Sequence, residues 1–236
     1  MAVLIAATVV IALASAIHGA VGFGLNLLAV PVLLVLDPSF VPGPALVAGL
    51  LLSVLVAGRE LKAADPRVGW AVLGLLPGTA VGAALIAAVP ADALGVPLGL
   101  LVLVAVALSA LRWRPAPTRA ALVAAGVASG FLATAASVGG PPIALVYARS
   151  SGPRLRSTLS VVFVVASAVA IAALAVVGRF GTRDLRTSAA FALGVVVGFL
   201  LSGPLRPFVD SGRTRPAVLV LSAVAALGAV LEGVLA

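Results

Sequence analysis

The chain has 236 residues, 63% hydrophobic and 9% charged, with a mean hydropathy of +1.30, 15 Lys+Arg against 7 Asp+Glu and no cysteine. Repeated apolar runs near the length that a ~30 Å hydrocarbon core demands exclude a soluble domain, and the lack of cysteine excludes disulfides and thiolate chemistry. The excess of basic residues does not indicate nucleic acid, because these residues sit in short loops and form no continuous stripe.

The first apolar run covers residues 2 to 17. Ala14, Ser15 and Ala16 look like a signal cleavage site, but no Lys or Arg precedes the run, so a retained membrane segment is expected. The run meets a glycine-rich break, "HGAVGFGLN" (18 to 26), then a short run, 25 to 36, that contains Pro31. Spans are predicted over about 42 to 57, 68 to 89 and 93 to 111, and "RWRPAPTR" (112 to 119) reads as a linker. The second half repeats the order. An apolar run from 120 to 136 meets the break "SVGGPP" (137 to 142), a short run to 148, and spans near 158 to 177, 188 to 204 and 216 to 235.

Loops "GRELKAADPR" (58 to 67) and "GRFGTRDLRT" (178 to 187) both open Gly-Arg and carry Asp-x-Arg, at Asp65/Arg67 and Asp184/Arg186. The expected fold is therefore all-α: a polytopic transmembrane bundle of two repeats, 1 to 111 and 120 to 236. Each repeat has a broken, re-entrant-like hairpin (2 to 36, 120 to 149) and three transmembrane helices. If each broken hairpin returns to its side of entry, each half crosses three times and the repeats are inverted. Loops 58 to 67, 112 to 119, 149 to 156 and 205 to 215 then share one side and hold 12 of the 15 basic residues. Basic residues collect in the cytoplasm, which puts both termini outside; a single long crossing by residues 1 to 36 would move the N-terminus to the other side.

The breaks carry the functional signal. In lipid an unpaired amide costs several kcal/mol, so non-helical backbone at this depth must be buried in protein or line a wet cavity. Gly139, Gly140, Pro141 and Pro142 together exceed what a kink requires, since one proline already costs about 3 kcal/mol inside a helix. A half-helix starting at the midplane offers N–H groups and a positive dipole end, which suits an anion. No carboxylate lies mid-span, whereas a cation carrier ordinarily buries one. The candidate lining is Ser15, His18, Asn26, Thr134, Ser137 and Tyr147, with the amides around Gly22, Gly24, Gly139 and Gly140.

Each has a competing structural reading. Gly22 and Gly24 could serve close helix packing, Asn26 and Ser137 could cap helices, and His18, the lone histidine, could be structural rather than a proton-coupling group. Arg156 reads as a topology anchor before it reads as an anion attractor. Gly74, Gly78 and Gly82, like Gly194 and Gly198, read as small-residue helix contacts, and Trp70 and Trp113 as interfacial aromatics.

With "GAVGFGLNLLAVPVL" (19 to 33), "ASVGGPPIALVYA" (136 to 148) and "RLRSTLSVVF" (154 to 163), the sequence resembles the sulfite exporter TauE/SafE family of membrane permeases. That resemblance implies a bacterial inner-membrane transporter of small sulfur-containing anions such as sulfite or organosulfonates. Many relatives carry a run of glycines where this chain has Gly24, Leu25 and Asn26. The expected function is a secondary transporter of a sulfite-like anion working by alternating access. Its substrate would lie between Gly22, Gly24 and Asn26 on one side and Ser137, Gly139, Gly140, Pro141 and Tyr147 on the other. The rival readings are an anion channel, a membrane-embedded enzyme and a scaffold, and the enzyme lacks paired carboxylates or a nucleophile motif in any span. The expected partners are a small anion and the bilayer, with no nucleic acid, metal or cofactor; self-association is left open.

Overall fold

The computed structural model describes every residue except 22–23, 61–63, 91–92, 112, 151, 210–219, 221–222, 225, 229 and 232–236. All regular structure among the described residues is helical: α1 (Ala2–Val21), α2 (Leu25–Leu36), a 3₁₀ turn (Pro38–Phe40), α3 (Gly43–Glu60), α4 (Val68–Ala88), α5 (Gly95–Ala110), α6 (Arg119–Ala136), α7 (Gly140–Val146), α8 (Gly152–Val176) and α9 (Thr182–Val209). The described residues between 220 and 231 are helical too. The span expected over 216 to 235 otherwise lies outside the described residues.

Five of these helices are long and apolar enough to cross a membrane, and the stretches Leu25–Leu36, Gly43–Arg59 and Gly95–Ala110 are shorter apolar helices. The core is apolar, but unlike a soluble fold the chain also turns large apolar side chains outward and buries many hydroxyls. Leu13, Leu73, Leu76, Val81, Leu193 and Leu200 lie on the outer surface, while Ser15, Ser53, Ser129, Thr134, Ser157, Thr158, Ser160 and Ser202 are buried. Lipid tails solvate leucine as well as a protein core does, so helices associate through small and polar residues instead. The chain is a multi-pass membrane protein.

Glycine sets the closest crossings. A Cβ on Gly78 would strike the Val127 carbonyl, and one on Gly126 the Ala71 carbonyl, so α4 and α6 lie backbone to backbone. α9 meets α1 in the same way, with Gly194 against Thr8 and Gly198 against Ala12 and Ser15. α3 packs on α8, α3 on α9 and α4 on α8. Exchanging α1 with α6, α3 with α8 and α4 with α9 maps these packed pairs onto one another.

Two boundaries depart from the sequence-based expectation. α8 starts at Gly152 and takes in Arg154 and Arg156, which the charge pattern places in a loop; Pro153 suits a helix's first turn, where no N–H is needed. α9 starts at Thr182, six residues early, because the Asp184 carboxylate in its first turn accepts from the Gly181 N–H at 2.8 Å. On the face carrying the 58 to 67 loop, Asp65 is 2% exposed and pairs with Arg67 at 2.9 Å and Arg154 at 3.0 Å. Its backbone N–H donates to Thr158 Oγ1, tying the loop after α3 to α8.

Candidate functional site

Both interruptions occur where the glycines and prolines are. α1 ends at Val21 and α2 restarts at Leu25, after Gly24 with φ +113°, a conformation glycine adopts without steric cost. α6 ends at Ala136, and Ser137 takes the left-handed conformation at φ 60° before α7 begins at Gly140. A non-glycine residue rarely sits there. Its hydroxyl is held by donation to the Pro42 carbonyl at 2.9 Å.

The interruptions meet. Asn26 Nδ2 donates to the Ser137 carbonyl at 2.8 Å and to the Ala45 carbonyl at 3.3 Å. Around this junction lies a cavity of about 50 Å³. α1 contributes His18, the first interruption Gly24, α2 Leu25 to Leu27, α3 Leu46, Gly49 and Ser53, α6 Ala133, and α8 Phe163, Ala166 and Ser167; the second interruption and the start of α7 supply 137 to 141. On the measure by which one water needs about 10–15 Å³, such a space takes a handful of heavy atoms.

The polar groups are few and well defined. The Leu25 N–H donates to His18 Nδ1 at 3.2 Å, so the neutral imidazole carries its hydrogen on Nε2. Nε2 is buried without a protein partner, and Phe163 packs edge-on against the ring at 5.9 Å. Ser53 Oγ and Asn26 Oδ1 are likewise buried and unpartnered. Ser129 Oγ is committed, donating to the Gly139 carbonyl at 2.6 Å. In α7 the two prolines directly follow Gly140 in the first turn, leaving that turn with fewer N–H donors than a proline-free helix would have.

Among the sequence-predicted residues, Gly24, Asn26, Ser137, Gly139, Gly140, Pro141 and His18 are thus brought to one cavity. Gly22 lies outside the described residues. Tyr147 does not join the cavity lining: it caps the C-terminal end of α7 and is buried among Leu122, Ile143, Leu159 and Val162. Arg156 is largely buried near the start of α8 and is also absent from the lining. Thr134 donates to the Gly130 carbonyl of its own helix, and Ser15 packs at the α1–α9 crossing. Sequence reasoning missed Gly49, Ser53, Phe163 and Ser167; a hydroxyl inside an otherwise apolar span was the available signal for the two serines.

A family model described as Sulfite exporter TauE/SafE matches residues 7–229. No curated protein and no solved structure matches the chain.

Proposed function

Because the chain belongs to the sulfite exporter TauE/SafE family, we propose that it is a secondary transporter of a small sulfur-containing oxyanion, sulfite or a compact organosulfonate. The carrying observation is the cavity at the junction of the two helix interruptions, with buried polar groups that have no protein partner. Burying a polar group unpaired costs on the order of 1–3 kcal/mol, a cost that a ligand in the cavity would offset. His18 Nε2–H and Ser53 O–H would supply donors, with the N-terminal turn of α2 at the same cavity. The volume favours an anion with one compact head over a long-chain sulfonate.

The two halves would form inverted repeats, their broken hairpins entering from opposite faces and meeting near the midplane. The exchange of packed pairs between halves supports that reading, and alternating access would follow from rocking one set of helices against the other. The charge bias of the loops supports both termini outside and, for a bacterial chain, placement in the inner membrane.

Flux of radiolabelled sulfite, thiosulfate, short sulfonates and carboxylates into liposomes containing the purified chain tests the proposal. Saturable sulfite flux with counterflow is the expected result. Unsaturable flux without counterflow would identify a channel, and no flux of any panel member would remove the transport reading.

A further inference from the structure

The unpartnered groups in the cavity are of three kinds. His18, 4% exposed, presents only a donor, since Leu25 N–H occupies Nδ1. Ser53, 1% exposed, can donate or accept. Asn26 presents only an acceptor. Its Nδ2 end lies between two backbone carbonyls, Ser137 and Ala45, which cannot donate, so the amide orientation is fixed and Oδ1 is the atom left buried and unpaired.

No described lining residue from α1, α2, α3, the α6–α7 interruption or α8 carries a full charge, and His18 is the one titratable group among them. The charged side chains on the same helices lie beyond the lining. Arg59, late in α3, stacks on Phe199 at 3.5 Å and donates to Ser202 Oγ, beside Gly19 of α1. Arg154 and Arg156 lie in the first turns of α8, about two turns or more before Phe163. In such surroundings desolvation dominates, and because the Born cost scales with the square of charge, a dianion loses about four times what a monoanion of equal size does. A fully deprotonated oxyanion would also turn only lone pairs toward Asn26 Oδ1.

Resting on the carrier reading above, we infer that the bound species is a monoanion and that sulfite, when it is the substrate, keeps one hydroxyl hydrogen and binds as hydrogensulfite. Its anionic oxygens accept from His18 Nε2–H and Ser53 O–H, and its hydroxyl donates to Asn26 Oδ1. The proton that crosses with sulfite then travels on the substrate and not on His18.

The test is sulfite exchange by the full chain in liposomes, with equal pH on both faces, from mildly acid to mildly alkaline conditions. Above the ionisation of hydrogensulfite the KM for total sulfite rises about tenfold per pH unit while the maximal rate holds. A KM that stays flat or falls overturns the inference, because the dianion is then carried. Methanesulfonate, a monoanion of fixed charge in this range that lacks the hydroxyl hydrogen, inhibits more weakly than sulfite in mild acid but with one Ki throughout; a Ki rising in step with KM places the titration on the protein and overturns it. His18→Gln keeps a neutral donor and an acceptor for Leu25, and is expected to preserve the slope. A flattened slope in that variant assigns the proton to His18 and overturns the inference. Loss of saturable exchange at every pH in the wild type is a different failure, that of the carrier reading itself, recognised because no KM remains to be measured.

Discussion

Asn26 and Ser137, 111 positions apart, are joined by a 2.8 Å hydrogen bond from the Asn26 amide to the Ser137 carbonyl. Each stands at the edge of a helix interruption, one in each half of the chain. The Ser137 hydroxyl extends the junction to Pro42, just before α3. Removing the amide leaves the Ser137 and Ala45 carbonyls without this donor. Asn26→Ala should destabilise the chain by about 1–3 kcal/mol and lower sulfite flux by more than the loss of folded protein explains. Thermal unfolding in detergent, read beside flux per folded molecule, checks both. Normal flux in Asn26→Ala would mean the junction is not the binding site.

Gly139 and Gly140 are adjacent but should respond differently. A Cβ on Gly140 would lie 3.2 Å from the tip of the Phe163 ring, which can yield, whereas one on Gly139 would lie 2.8 Å from both the Ser129 carbonyl and the Ala133 Cβ. Gly139→Ala should therefore cost about 1–3 kcal/mol of stability. Gly140→Ala should keep the wild-type melting behaviour, and Gly140→Leu, which fills the cavity, should abolish flux while the protein still purifies as a folded species. Wild-type flux in Gly140→Leu would refute the placement of the substrate.

Much of this arrangement was legible because lipid penalises open backbone so heavily. Clustered Gly and Pro at 18 to 26 and 137 to 142 read as interruptions; α1 ends and α2 starts within the first, while α6 ends just before the second and α7 starts within it. What the sequence hid was side-chain direction. Tyr147 follows the second break by only a few residues, yet as the C-cap of α7 it packs into a separate cluster with Leu122 and Leu159. Ser53 and Ser167 sit in ordinary apolar stretches with no neighbouring breaker to mark them, and only the packing of α3 on α8 brings both to the cavity. Arg154 and Arg156 look like loop charges because charge in a hydropathy pattern marks a boundary; here the helix begins before them.

The small-residue crossings make a prediction about stability alone. Gly78→Ala places a methyl against the Val127 carbonyl of α6 and should force α4 and α6 apart, at a cost of at least about 1–3 kcal/mol. Gly69, in the first turn of the same helix, has nothing within 4 Å of a built Cβ. Gly69→Ala should leave stability unchanged or raise it by about 0.5–1 kcal/mol, through the helix propensity that glycine lacks. Comparing the two unfolding midpoints separates backbone contact from propensity. Equal responses would show that α4 and α6 do not approach as closely as these glycines indicate.

Asp65 gives a prediction in pH. Its carboxylate accepts from the Arg67 backbone N–H and from Arg67 Nε and Nη2, and lies 3.0 Å from Arg154 Nη2. The Arg67 guanidinium, foremost, holds its pKa down from the ordinary 3.8 to about 2. A carboxylate held below its unfolded value contributes stability that is complete above that value and is lost as pH falls through the folded one. The contribution should therefore be intact at neutral pH and fade between about 4 and 2. Both arginines are about half exposed, which limits its size to the order of 1 kcal/mol. Asp65→Asn should lower the unfolding midpoint at neutral pH and converge on the wild type in strong acid, while raised salt narrows the neutral-pH gap. A gap that stayed constant down to the folded pKa would show that the Asp65→Asn variant suffers from altered packing of the loop after α3 against α8, and not from the missing charge.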